Sequence, residues 1–255
     1  MEIDFGKTAK DYSTHRAGFP DALYARLSAY GIGRAGQRVL DLGTGTGTLA
    51  RGFAVRGCAV TGLDPSTALT AEARRLDAAA GISVRYVTAT AEATGLGAAS
   101  FDVVTAGQCW HWFQRRQAAR EVRRVLVPHG TLVIAHFDWL PLPGNVVEAT
   151  EQLIMQHNPL WSLGGGIGIY GQWLPDLSAA GFREIETFSF DIDVPYTHEG
   201  WRGRIRASAG VAASLPPDAV ARFDDTHRAL LADRFPTEPL QVPHRVFAAI
   251  ARAPS

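Results

Sequence analysis

Apolar positions follow two alternating rhythms along the first 137 residues. Leu23, Leu27 and Tyr30 recur at helical spacing behind Pro20 and Asp21, so the pattern predicts a helix over 20–31 closed by Gly31. Arg38 to Leu42 is a short apolar run that reads as a strand, and 48–56 reads as a helix stopped by Gly57. The alternation repeats with a strand-like CAVTGLD at 58–64 and a helix opened by Ser66 as its N-cap. VRYV at 84–87, FDVVTAG at 101–107 and TLVIAHF at 131–137 are further strands, with the Arg-rich stretch 114–126 a helix between the last two. Strands alternating with helices predict an α/β fold on a mostly parallel sheet covered on both faces.

Beyond residue 137 the rhythm breaks. Pro141 and Pro143 precede a helical pattern from Val146 to His157, and NPLWSLGGGIGIYGQW follows, with Gly164, Gly165, Gly166 and Gly168 inside it. This reads as a mobile lid whose Trp161, Tyr170 and Trp173 close over an apolar or aromatic substrate, or as a long connection held by the same rings. Helical patterns at 199–213 and 216–235 form a second insertion before HRVFAAIAR, the last strand, at 244–252. Two insertions on one edge of the sheet predict a cap that selects the substrate.

Composition narrows the function classes. At 255 residues and 46% hydrophobic the chain can bury one sizeable core, and 25 basic against 25 acidic residues leave no net field to gather nucleic acid or an anionic membrane. Cys58 and Cys109 lie in apolar surroundings and read as reduced packing residues. The opening MEIDFGKTAKDYSTH lacks a signal-peptide core, and no apolar run is long enough to span a bilayer, so a cytoplasmic protein is expected. The eight histidines show no i, i+4 pair, and no metal is expected.

The candidate chemistry starts at VLDLGTGTGTLA, residues 39–50. After a parallel strand the chain must turn sharply into a helix, and Gly43, Gly45 and Gly47 permit that turn while letting a ligand approach the backbone. Asp64 ends the next strand, where a carboxylate can accept hydrogen bonds from both hydroxyls of a ribose. The spacing differs from the G-x-G-x-x-G of NAD sites, and Asp41 stands two residues before the first glycine. An acid there would repel a pyrophosphate but suits a ligand with an ammonium group, which points to S-adenosylmethionine.

These motifs resemble the class I S-adenosylmethionine-dependent methyltransferases over most of the chain. VLDLGTGTGTLA looks like that family's first motif, VTGLDPS like its second-strand acid, ATAEATGLGAASFDVV like the segment between its third and fourth strands, and RRVLVPHGTLVI like the turn before its fifth. The likeness is strongest to the branch of trans-aconitate methyltransferase and many bacterial small-molecule methyltransferases, through Phe5, Ala9, Tyr12 and Arg16 and through His111-Trp112-Phe113. It implies a Rossmann-like, doubly wound, seven-stranded sheet with a helical cap: a cofactor-binding core with an N-terminal clamp over 1–137, a lid over 138–175, a core helix and strand over 176–197, a second cap insertion over 198–240 and the last strand over 241–255. It implies cofactor contacts from Tyr12, Arg16, Asp41, Gly43, Thr44, Gly45, Gly47, Asp64, Pro65, Thr90, Ala91, Glu92, Gly107 and Gln108. Thr90 stands where the family often has an acid, so its bond to adenine would be neutral. His129 replaces the first glycine of a Pro-Gly-Gly turn and must adopt that glycine's backbone angle.

Substrate chemistry is expected beyond the strand ends. His111, just after the fourth strand, is a candidate general base or a structural hydrogen-bonder, with Trp110 beside it as a substrate contact or a core residue and Trp112 as core rather than contact. His136 and Asp138, two apart at the end of the fifth strand, are candidate substrate contacts or satisfied polar residues, and Trp161 and Tyr170 are candidates from the lid. The function expected is methyl transfer to oxygen, nitrogen or carbon of a small molecule, in bacterial secondary metabolism by resemblance. Two rivals remain. An RNA methyltransferase would use Arg116, Arg120 and Arg124, aligned at i, i+4 but interrupted by Glu121; a protein of the same fold could instead bind the cofactor and catalyse a non-methylating cyclisation.

Overall fold

The computed structural model describes residues 18–255. In chain order its elements are α1 (Asp21–Ala29), β1 (Arg38–Leu42), α2 (Thr48–Val55), β2 (Ala59–Leu63), α3 (Thr67–Ala80), β3 (Arg85–Val87), β4 (Phe101–Gly107), a 3-10 turn (Trp110–Trp112), α4 (Arg115–Val125), β5 (Leu126–Trp139), α5 (Val146–His157), a second 3-10 turn (Gly171–Trp173), α6 (Leu174–Ala179), β6 (Arg183–Tyr196), α7 (His198–Arg206), α8 (Pro217–Arg234) and β7 (Leu240–Arg252). They fall into two compact units: residues 18–137, 170–189 and 246–255 form the first, and residues 138–169 and 190–245 belong to the second.

One seven-stranded sheet runs in the order β3-β2-β1-β4-β5-β7-β6. β1 pairs in parallel with β2 and β4, as do β2 with β3 and β4 with β5. The Ala253 amide donates to the Gly130 carbonyl and the Leu140 amide to that of Pro243, so partner numbers fall along β7 as they rise along β5. Those two strands are antiparallel, and the sheet is mixed. Chain order proceeds from β1 to β2 and β3 on one side, then returns to β4 and β5 on the other. The reversal leaves a crevice beyond the carboxyl ends of β1 and β4, where open sheets of this kind bind ligands.

The buried strands read as near-continuous apolar runs because side chains on both faces are covered. Leu40, Leu42, Leu63, Val104, Ala106, Leu132 and Ile134 pack with Trp110, Val122, Val125 and Phe247 in the core of the first unit. In the second, Val147, Ile154, Trp201, Ile205, Phe223, Leu231 and Val242 form a separate cluster. The polar exceptions on the central strands, Asp41, Thr105 and His136, are each no more than 1% exposed, and buried polar groups at strand ends mark positions kept for something other than packing.

Two elements differ from their sequence patterns for local reasons. β5 begins at Leu126, because Phe101 to Val103 on β4 faces Leu126 to Thr131 on β5; the extra residues bulge out with His129 at φ +60°. The pattern at 199–213 is helical only to Arg206. Gly210 packs so tightly that a Cβ there would lie 2.8 Å from the Ile154 side chain and 3.1 Å from Trp161, and the Asn158 side chain donates to its carbonyl at 3.0 Å. Tertiary packing thus pins residues 207–215 as turns.

Candidate functional site

The register of the parallel strands brings the sequence motifs side by side. Leu42 faces Leu63 on one neighbour and Ala106 on the other, and Gly107 faces Ala135. The next residues of the four strands, the loop from Gly43, Asp64, the segment from Gln108, and His136, therefore emerge along one edge.

The loop itself is held from beneath. Gly43, Gly45 and Gly47 take φ of +57°, +55° and +78°. A Cβ at Gly47 would lie 2.4 Å from the Tyr86 hydroxyl, and one at Gly43 would lie 2.9 Å from Cys109; a Cβ at Gly45 would meet nothing within 4 Å. Gly43 and Gly47 are glycines for packing below the loop, whereas Gly45 turns its bare face away from every described residue. Below the loop, Arg51 joins the Asp77 carboxylate at 2.8 Å and donates to the Thr46 carbonyl at 2.9 Å, and the Tyr86 hydroxyl donates to Asp77 at 2.7 Å. Nothing in the glycine motif signals this buttress.

Both acids are tied into it. Asp64 accepts from the Gly45 amide at 2.9 Å and the Ser66 amide at 2.8 Å, one on each oxygen. Burial raises its pKa against the pull of those two amides. Each oxygen keeps acceptor capacity for a further donor. Asp41 accepts from the Thr105 and Thr44 hydroxyls, both at 2.6 Å. Burial pushes its carboxyl up to about 6; the two hydroxyls oppose the rise and the nearby Asp64 charge adds to it. Asp41 is therefore a buried charge beneath the loop, acting on a cation through its field rather than by lying open to it.

The remaining candidates divide. Gln108 adopts φ +62°, donates its amide to the Ala135 carbonyl at 2.9 Å and its side chain to the Phe137 carbonyl, which locks the turn after β4. Glu92 accepts from the Gln114 amide at 2.8 Å at the start of α4; Ala91 is buried in the core, and Thr90 and Pro65 are exposed. The His111 ring lies 5.5 Å from that of His136, which is 4.4 Å from Tyr170 and 4.9 Å from Trp173; Tyr170 and Trp173 stack at 4.2 Å. Trp110 takes the core alternative, and Trp112 departs from the core place expected of it. Trp110 is fully buried, under the turn, and Trp112 is 45% exposed, because the 3-10 turn rotates successive side chains away from one another. Asp138 and Trp161 belong to the second unit, where Trp161 packs against Gly164 and Gly210. Tyr12 and Arg16, with Phe5 and Ala9, lie outside the described residues.

Fold and edge together define a doubly wound domain with the glycine loop and Asp64 at its switch point. The family model described as "Methyltransferase domain" matches residues 40–134, the span from β1 to β5. A malonyl-[acyl-carrier protein] O-methyltransferase of Enterobacter lignolyticus is 41% identical over 132 residues, covering 50% of this chain and 49% of that one. The chain thus matches about half the length of that curated relative. The solved YcgJ protein of Bacillus subtilis superposes with a TM-score of 0.59 at 20% identity, covering 92% of this chain and 100% of that one. The [4+2]-cyclase SpnF does so with 0.55 at 23%, covering 94% and 85%. At these identities the structures show a shared fold. No helix among the described residues is long and apolar enough to cross a membrane.

Proposed function

We propose that the chain is an S-adenosylmethionine-dependent methyltransferase acting on oxygen, nitrogen or carbon of a small-molecule acceptor. The observation that carries this reading is the face of Gly45, uncovered by any described residue, beside the amide that holds Asp64. That cradle fits a nucleoside. Asp64 has lone pairs left for ribose hydroxyls, Gly43 to Gly47 offer backbone without side chains, and the Asp41 charge below favours a cationic amino-acid tail. When bound, the cofactor supplies an electrophilic methyl group on a sulfonium.

The protein's own part is alignment and exclusion of water. The rings of His111, His136, Tyr170 and Trp173 form an aromatic wall in the first unit suited to orienting an acceptor. His111 serves as general base only for an acceptor that must lose a proton; a carboxylate needs none. Acceptor choice is assigned to the second unit, and the cytoplasm is the proposed compartment.

Nucleic acid is the weaker reading. Among the α4 arginines, Arg115 and Arg116 bond to Asp176, Arg124 to Glu121, and Arg123 to the Ala180 carbonyl, so most of that charge is already answered. The likeness to SpnF keeps the cyclase rival in view. The deciding experiment supplies methyl-labelled S-adenosylmethionine with a panel of carboxylic acids, phenols and amines. Label in product together with S-adenosylhomocysteine is expected; cofactor binding with no turnover on any acceptor would favour the cyclase reading.

A further inference from the structure

In the first unit one helix is tied to both halves of the cradle. At the start of α3 the Ser66 amide holds one oxygen of Asp64; in its last turn Asp77 is 3% exposed, with both carboxylate oxygens engaged. Arg51 Nε donates to one of them and the Tyr86 hydroxyl to the other. The same guanidinium reaches past Asp77. Its Nη2 donates to the Thr46 carbonyl at 2.9 Å and lies 3.4 Å from that of Ala73, back on α3. Thr46 stands between Gly45 and Gly47, so this one side chain clamps the middle of the glycine loop to α3.

Tyr86 reaches the loop from the edge of the sheet. It lies on β3, and its register partner on β2 is Gly62, where a Cβ would lie 2.7 Å from the Tyr86 ring and 2.9 Å from the Thr44 methyl. The missing side chain lets the ring cross β2 and bring its hydroxyl against Gly47. Replacing a deeply placed ion pair by apolar groups is often neutral for stability, so the 20% and 5% exposed pair of Arg51 and Asp77 is explained by the geometry it fixes. A planar guanidinium with donors on two elements sets the angle between them. A single ammonium cannot.

We propose that Arg51 and Tyr86 are positioning residues for the cofactor: through Asp77 they hold the glycine loop at the height where it and Asp64 meet the nucleoside together. The inference rests on the reading of this cradle as the S-adenosylmethionine site. Both residues act through the loop backbone. Without the clamp the loop spends part of its time out of register with Asp64, and affinity falls in proportion to the fraction that stays competent.

The test compares the unaltered full chain with Tyr86→Phe, which keeps the ring and removes the hydroxyl, and Arg51→Lys, which keeps the charge and removes the fork. Thermal unfolding checks that each variant is folded at the working temperature; Tyr86→Phe carries the test alone if Arg51→Lys is not. Calorimetric titration of S-adenosylhomocysteine is expected to show affinity lower by roughly threefold to tenfold in Tyr86→Phe and by roughly tenfold or more in Arg51→Lys. Hydrogen exchange of the backbone amides over 43–47 is expected to be faster in both ligand-free variants and to return to the unaltered rate at saturation. A merely structural role would lower the unfolding temperature and leave both readouts alone. Equal affinity in all three proteins would overturn the proposal, as would unchanged exchange in the ligand-free variants. Exchange is read without ligand, which separates the two failures. No binding of S-adenosylhomocysteine by the unaltered protein would remove the cofactor reading and this proposal with it, whereas unchanged exchange removes the proposal alone.

Discussion

The molecule contains two glycine-rich loops, and they are built for different ends. In GTGTG, residues 43–47, all three glycines are left-handed and lie over Asp41, Asp64 and the Arg51–Asp77–Tyr86 buttress, with no described residue above Gly45. In GGGIG, residues 164–168, Gly165 and Gly168 are left-handed, but the contacts below are those of an ordinary loop. Glu151 accepts from the Gly165 amide, Arg245 donates to the Ile167 carbonyl at 2.9 Å, and the side chains of Leu163 and Ile167 face solvent. Glycine content makes a loop permissive. A ligand cradle arises when buried acids and aligned strand ends lie beneath it.

The largest expected effect separates the two loops directly. Gly47→Val combines a left-handed backbone with a collision at the Tyr86 hydroxyl, and is expected to destabilise the protein by roughly 2–5 kcal/mol. Gly166→Val, where a Cβ would meet nothing within 4 Å, should shift stability by less than about 0.5 kcal/mol. Chemical denaturation of both variants measures the contrast. Equal effects would erase it.

The next effect contrasts the two units by pH. The Asp41 pKa is raised to about 6, so its contribution to stability is full below the unfolded value of 3.8 and is lost as pH rises through about 6. At neutral pH its ionisation costs about 3 kcal/mol, and Asp41→Asn is expected to recover part of this and flatten stability between those values. In the second unit, burial pushes the His227 pKa down to about 4. Its contribution is full above 6.5 and is lost as pH falls through about 4, again about 3 kcal/mol. His227→Phe should remove that acid loss, unless the Thr150 hydroxyl, 3.2 Å from its ring, is left worse satisfied. Urea titrations from pH 3 to 8 follow both. Slopes of the same sign in the two variants would contradict the assignment.

The smallest effect concerns the second loop. Glu151→Gln weakens a charge-assisted bond to the Gly165 amide and one to the Trp139 indole, and is expected to cost about 1 kcal/mol. Cofactor affinity should not change. A loss of S-adenosylhomocysteine binding in this variant would mean that the two loops are coupled.

Most strands were legible because apolar runs bounded by glycine have one reading in a doubly wound sheet; Arg38–Leu42 and Phe101–Gly107 fall where the pattern places them. So were the caps, with the Ser66 side chain accepting from the Leu69 amide. What escaped the sequence was set by contacts distant in the chain. Tyr86 and Asp77 carry no motif, yet they fill the space that makes Gly47 obligatory. The order of Trp110 and Trp112 depended on the phase of a three-residue turn, which no hydrophobic period specifies.

The nucleoside cradle is tested by calorimetric titration of S-adenosylhomocysteine into the unaltered protein, Gly45→Val and Asp64→Ala. A Cβ at Gly45 enters the space assigned to the nucleoside, so Gly45→Val should bind at least about a hundredfold more weakly while remaining folded. Asp64→Ala should lose roughly 1.5–3 kcal/mol of binding through its charge-assisted bonds. Saturable binding by the unaltered protein and those two losses are expected; no binding by the unaltered protein, or equal affinity in all three, would contradict the nucleoside cradle.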